Sequence, residues 1–236
     1  MSDYSFDLSN PDDRYDSGFQ IKEQSFISKV FSWMFMGLLS TGVIAFLVAS
    51  NPVIIKAIYS NMMIMILLGI GTFALVWNLS ANMHKMSPAA AAANFFIYAG
   101  LNGVLFSSVF LVYTSQSIFS TFCVAAVTFG VTALYGATTK KDLSGLGSML
   151  FMGLIGLIIA SVLNMFLHST GLASLINYAG VFLFVGLTAY DMQAIKKIGQ
   201  NHGYNPNYAV LGALKLYLDF INLFIYLLRI LGDRRR

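Results

Sequence analysis

Long apolar runs without alternation, broken by short polar clusters, recur seven times along the chain, at about 28–50, 61–81, 90–113, 118–137, 148–168, 175–195 and 208–231. Each matches the roughly 20 apolar residues that an α-helix needs to cross a bilayer core. The strands of a membrane barrel would alternate in polarity every residue, and these runs do not. Asn51-Pro52, Ser87-Pro88, Lys140–Gly147 and Gly203–Asn207 separate them. Ser87 places a capping hydroxyl before proline at the first helical position, a strong helix start. The pattern predicts an all-α membrane protein with two regions, a polar acidic tail over residues 1–24 and a seven-transmembrane-helix bundle over 25–236.

Within the runs, residue spacing predicts which faces meet. Ala99, Gly103 and Ser107 lie four apart in the third run, and Gly153, Gly156, Ala160 and Asn164 share one face of the fifth. Small faces of this kind let helix backbones approach closely in a bilayer. In the last run Gly212, Lys215, Asp219, Asn222, Tyr226 and Arg229 recur at spacings of three and four and form one polar stripe. Polar groups at membrane depth are tolerated only against protein or a water-filled cavity. The C-terminal helix is therefore expected at the centre of the bundle.

Composition agrees. Hydrophobic residues make up 57% of the chain and charged residues 10%, with a mean hydropathy of +0.72; a soluble domain carries about 25% charged residues. No soluble domain fits beside seven spans. The first 20 residues lack the basic start of a cleaved signal peptide, so the first helix is expected to act as its own insertion signal. Cys123 has no partner for an intrachain disulfide and reads as a small buried apolar residue. The net charge of +4 comes from basic loops and Arg234–Arg236, a distribution that suits anionic lipid headgroups rather than nucleic acid. Lysines and arginines concentrate in the tail and the second, fourth and sixth loops, which places the N-terminus in the cytoplasm. Seven full crossings then put the terminal arginines outside; a re-entrant last segment would return them. Seven crossings is the preferred expectation.

Two acids interrupt this apolar sequence, Asp191 and Asp219. A charge at bilayer depth costs about 2.5–3.5 kcal/mol on the lenient insertion scale, and such residues usually mark function. Asp191 lies about one turn before Lys196-Lys197, and Asp219 about 11 residues into the last run, roughly 16 Å deep. A loop of about a dozen residues would let the two acids approach. Two ionised carboxylates would repel, and a shared proton relieves this. Deprotonated, the pair becomes either a repulsive wedge or a site for a divalent cation such as calcium, which favours oxygen ligands. The plainer reading pairs Lys215 with Asp219 one turn away and bonds Asn222 to a neighbouring helix. Tyr190 and Asn164 are further polar candidates, and His84 is either a second group titrating near neutrality or a loop histidine without a role.

The motif YDMQAIKK (Tyr190–Lys197), followed by LYLDFINLFIYLLRI (Leu216–Ile230), resembles the closing signature of the transmembrane Bax inhibitor motif family. TTKKDLSGLGSMLFMGLIGLIIASVLN (Thr138–Asn164) resembles the fourth loop and fifth helix of its bacterial inner-membrane members. The resemblance implies a seven-helix bundle with the last helix central and a pH-sensitive passive calcium leak. In it, Asp191 and Asp219 match paired aspartates that latch the pore and sense protons. Some relatives carry an arginine cluster at the end of the second helix, where this chain reads Asn82-Met83-His84-Lys85. Calcium or another cation is then the transported ion, with no cofactor, and the bilayer is the other partner. A proton-coupled exchanger is the other transport mode that such an acid pair allows. The alternative of another class is a regulatory protein that modulates a membrane-embedded quality-control protease through residues 1–20. Enzyme chemistry is not expected. A diaspartyl protease carries Tyr-Asp at one acid, as Tyr190-Asp191 does here, but Gly-x-Gly-Asp at the other, whereas Asp219 sits in Tyr217-Leu218-Asp219-Phe220; HExxH, GxSxG and phosphate-loop motifs are missing.

Overall fold

The computed structural model describes residues 11–82, 85–202 and 204–235, with side chains from residue 21 onward. Eight helices are present among the described residues: α1 (Pro11–Ala49), α2 (Pro52–Tyr59), α3 (Met62–Asn82), α4 (Pro88–Val112), α5 (Ser115–Thr138), α6 (Ser144–Leu167), α7 (Thr170–Asn201) and α8 (Pro206–Leu231). Seven are long and apolar enough to span a membrane; α2, with 8 residues, is not. The protein is thus an all-α membrane protein.

Several helices start where the sequence supplies an acceptor. Asn51 accepts from the Val53 and Ile54 amides, Ser87 from Ala90, Thr114 from Ser117 and Asn205 from Asn207. Each satisfies amides that a helix start leaves without intrahelical partners. The short α2 is fastened by Tyr59, whose hydroxyl donates to the Leu105 carbonyl at 3.0 Å and accepts from the Ser108 amide at 3.1 Å.

Two helices are longer than the apolar runs suggest, because helical structure does not stop where hydropathy does. α1 starts at Pro11, inside the segment read as polar tail, and α7 continues through Lys196 and Lys197 to Asn201. Only four residues then separate α7 from α8, in place of the expected dozen. Both spans still lie within one antiparallel pair of helices.

α8 is the hub. It packs against α1, α4, α5 and α7, and 56% of its apolar window is buried, against 6% for α3 and for α6. Tyr217 anchors it: the ring is fully buried edge-on to Phe95 and Tyr98, and its hydroxyl meets Thr41 at 2.8 Å. The Thr41 hydroxyl lies 2.9 Å from the Ala99 carbonyl, which joins α1, α4 and α8.

The small faces divide. Ala99, Gly103 and Ser107 are buried, and a Cβ on Gly103 would lie 2.8 Å from the Thr41 carbonyl of α1. On α6, by contrast, Gly156 faces open space, and Gly153 meets only the Leu183 side chain. Ala160 still packs against the core, so only part of this expected packing face is outer surface. Cys123 also differs from expectation, because it is exposed on the outside of α5.

Hydrogen bonds at both ends of α8 decide its span. Asn207 donates to the Met86 carbonyl at 2.7 Å, just before α4 begins. Beyond its other end, the Asp233 amide donates to Ser117, Thr114 donates to the Asp233 carbonyl and Arg235 donates to the Val112 carbonyl, where α4 gives way to α5. Because the 25 residues of α4 separate these anchor points by roughly 37 Å, α8 traverses the bundle and is not re-entrant.

Candidate functional site: a side cavity lined by the acid pair

The end of the bundle that carries Lys140, Lys141, Lys196 and Lys197 is cross-braced. Gln193 of α7 accepts from the Leu143 amide and donates to the Lys141 carbonyl, both at 2.8 Å. Lys196 pairs with Glu23 of α1 at 2.8 Å and also donates to the Ala137 carbonyl. Lys197 pairs with Asp142 at 2.7 Å, and Asp142 also accepts from the Ser144 amide and hydroxyl. These bonds to its charged form push the Asp142 carboxyl down to about 2.

Inward from this end lies a cavity of about 840 Å³ between α6, α7 and α8. The α8 stripe supplies Lys215, Asp219, Asn222, Tyr226 and Arg229, while α7 supplies Tyr190 and Asp191. The α6 wall includes Ile158, Val162 and Met165, which are also exposed on the outer surface, so the cavity opens sideways. Gly212, counted in the same stripe, instead packs against Ile195 and Val30.

The depth difference inferred for the two acids shrinks to about one helical turn. Asp191 lies ten residues before the end of α7 and Asp219 thirteen after the start of α8, so across the short turn they sit within roughly one helical turn of each other. Lys215, nine residues into α8, matches the depth of Asp191 and bonds it at 2.9 Å. The expected pairing of Lys215 with Asp219 is not what forms. Asp219 is 4% exposed, and its Oδ2 is buried without a hydrogen-bond partner. It lines the same cavity as Asp191 and Lys215.

The supporting residues separate into groups. Tyr190 lies with its ring against Gly147 of α6, at the wall of the cavity. Asn222 lines the cavity but donates to Leu218 on its own helix at 2.8 Å, not to a neighbouring one. Asn164 is not with the acids. Its side chain accepts from the Ser169 amide and lines a second cavity of about 260 Å³ with Asn177, Arg229 and Arg234. Ser161 and Arg229 line both cavities, so the polar lining continues towards the far end of α8. His84 lies outside the described residues. Among the described residues, no group of three or more His, Cys, Asp or Glu side chains comes together to hold a metal.

Sequence reasoning did not single out Ser161 or Arg229 as site residues. Arg229 was legible as a member of the stripe; its stacking over Tyr226, 5.6 Å from the ring centroid, was not. Ser161 carries no signal, because its hydroxyl bonds the Leu157 carbonyl as many helical serines do.

A central α8, spans on its flanks and an acid pair beside a side cavity define a class of helical membrane protein. Residues 23–236 match the family described as Inhibitor of apoptosis-promoting Bax1, and the chain belongs to this Bax inhibitor-like family. It is 46% identical over 217 residues to the Inner membrane protein YbhL of Escherichia coli (strain K12), covering 90% of this chain and 93% of that protein. A Borreliella burgdorferi protein is also 46% identical, across 90% of this chain and 94% of its own length. The protein RP147 of Rickettsia prowazekii is 39% identical over 219 residues, across 89% of this chain and 90% of its own.

Proposed function

We propose that this protein is a pH-sensitive passive leak for calcium or a related cation. It would sit in a bacterial inner membrane with its N-terminus in the cytoplasm, with Asp191 and Asp219 as the proton-sensing and ion-contacting pair. One observation carries the reading: the two intramembrane aspartates line the same cavity, which a second polar cavity extends towards the opposite end of the bundle. Two carboxylates offer at most four oxygens, against the 6–8 that calcium takes. Water supplies the remainder, so the ion is held weakly and can leave, as conduction requires.

The titratable or charged groups around the cavity are Tyr190 and Asp191 of α7 and Lys215, Asp219, Tyr226 and Arg229 of α8. With Asp219 protonated, the cluster of Asp191, Lys215 and Asp219 is neutral and attracts no cation. With Asp219 ionised it carries one net negative charge. Cation flux should therefore rise as pH increases.

Calcium flux into liposomes, followed between about pH 5 and 8, tests this. Asp219→Asn should hold flux at its low-pH level throughout, and Asp191→Asn should also remove the pH response. If both variants keep wild-type flux and pH response, the proposal is wrong. A flux that requires an opposing proton gradient would make the protein an exchanger. Modulation of a membrane protease would leave flux independent of both aspartates.

A further inference from the structure

A cation pathway built on two carboxylates has no need of an ammonium group, yet this site contains one. Lys215 reaches across from α8 to Asp191 on α7 at 2.9 Å. Its side chain is 35% exposed, against 13% for that of Asp191, so Lys215 is the more accessible side chain of the pair. Asp219 has no such partner: its Oδ2 is buried and unbonded beside the same cavity. Arg229, the other basic group in the lining, is ten residues further along α8, roughly 15 Å away, and lies over Tyr226. Lys215 is thus the one fixed cation that bonds either aspartate among the described residues.

An ammonium on a flexible four-carbon stem is a compact point charge whose hydrogen bonds are easily exchanged. It occupies the Asp191 oxygen that an incoming cation would use, and as part of the chain it is always present at high effective concentration. It also sets the charge. With both acids ionised the cluster carries one net negative charge; without Lys215 it would carry two. Calcium affinity follows the number of charged ligands and site rigidity over several decades.

We propose that Lys215 is a tethered cation that competes with calcium for Asp191, keeping the affinity of the acid pair low so that an arriving ion is not trapped. This rests on the reading of Asp191 and Asp219 as the ion-contacting pair. A lysine that merely braces α7 against α8 has a different consequence. Its removal leaves Asp191 buried without a partner and brings no gain in cation binding.

The test is equilibrium binding to the purified full chain in lipid nanodiscs, with terbium luminescence as the probe and calcium as the displacing ion. Lys215→Met should bind calcium at least about tenfold more tightly than wild type, with a smaller gain in Lys215→Arg, which keeps the charge. The gain should disappear in Lys215→Met/Asp191→Asn. Lys215→Gln, which can still bond Asp191 but is neutral, serves if the methionine variant does not fold, and should gain likewise. Folded Lys215→Met or Lys215→Gln protein with wild-type or weaker calcium affinity overturns the proposal. Failure of the leak reading appears separately: Asp191→Asn and Asp219→Asn then leave flux unchanged, whatever Lys215 does to binding.

Discussion

Lys215 and Asp219 lie four residues apart on one helix, a spacing that favours an ion pair on an isolated helix, yet the ammonium crosses to Asp191. Depth decides this. The four-residue turn between α7 and α8 brings Asp191 level with Lys215, while Asp219 is one turn further in and nearly fully buried. Asp191, Asp219, Lys215, Tyr190 and Asn222 were all legible as candidates from their polarity in apolar sequence, and all five line the cavity. Asn164 shared that signal and went elsewhere, since polarity along one helix does not report which neighbour it faces. Asp142 makes a useful contrast. With its carboxyl held at about 2, below the ordinary 3.8, its bonds to Lys197 and Ser144 stabilise the folded chain fully above about 3.8 and weaken as pH falls through about 2. It is ionised throughout the range in which the acid pair is proposed to respond. Asp142→Asn should therefore leave the pH midpoint of flux in liposomes unchanged; a shifted midpoint would move the sensor to this loop.

At the scale of elements, two glycines show why a small residue means little until its neighbour is known. A Cβ on Gly136 of α5 would run into the Ala189 carbonyl of α7, a backbone atom that cannot swing aside. Ala189 immediately precedes Tyr190 and Asp191, so this close approach also holds the site wall in place. Gly136→Ala should cost about 1–3 kcal/mol by overpacking and lower the melting temperature in detergent. Gly156→Ala, on the open face of α6, should change stability by less than about 0.5 kcal/mol. Equal melting temperatures in the two variants would contradict this packing of α5 on α7. The small-residue stripe of α6 looked in sequence like one packing face, and Gly156 is left open because α6 docks on α7 at the rim of the bundle.

For the whole molecule, seven spans with α8 traversing the bundle put its two ends on opposite faces. Cys123 is the single native thiol and is exposed on α5, so it is first replaced by alanine. In that background, a membrane-impermeant maleimide applied to intact spheroplasts should label Arg235→Cys but reach Lys85→Cys only after permeabilisation. Labelling of both from one side would restore a re-entrant last segment; the reverse pattern would invert the proposed orientation. The tie between Asp233, Thr114 and Ser117 holds the C-terminal segment against the α4–α5 connection. It accommodates a basic tail on the face opposite the lysine-rich end, against the usual charge bias.

By itself the sequence determined the number of spans, the all-α class, the central place of the last helix and the pair of acids worth testing. Each of these is written locally, in hydropathy summed over about 20 residues and in spacings of three and four along one helix. Only the tertiary structure decided that Lys215 serves Asp191, that the acids share one side cavity, that Asn164 belongs to another and that one small-residue face packs throughout while the next packs only in part. Those outcomes depend on where α7 ends, how short its turn is and how neighbouring helices are registered. Such distances between chain-remote atoms are set when the helices dock.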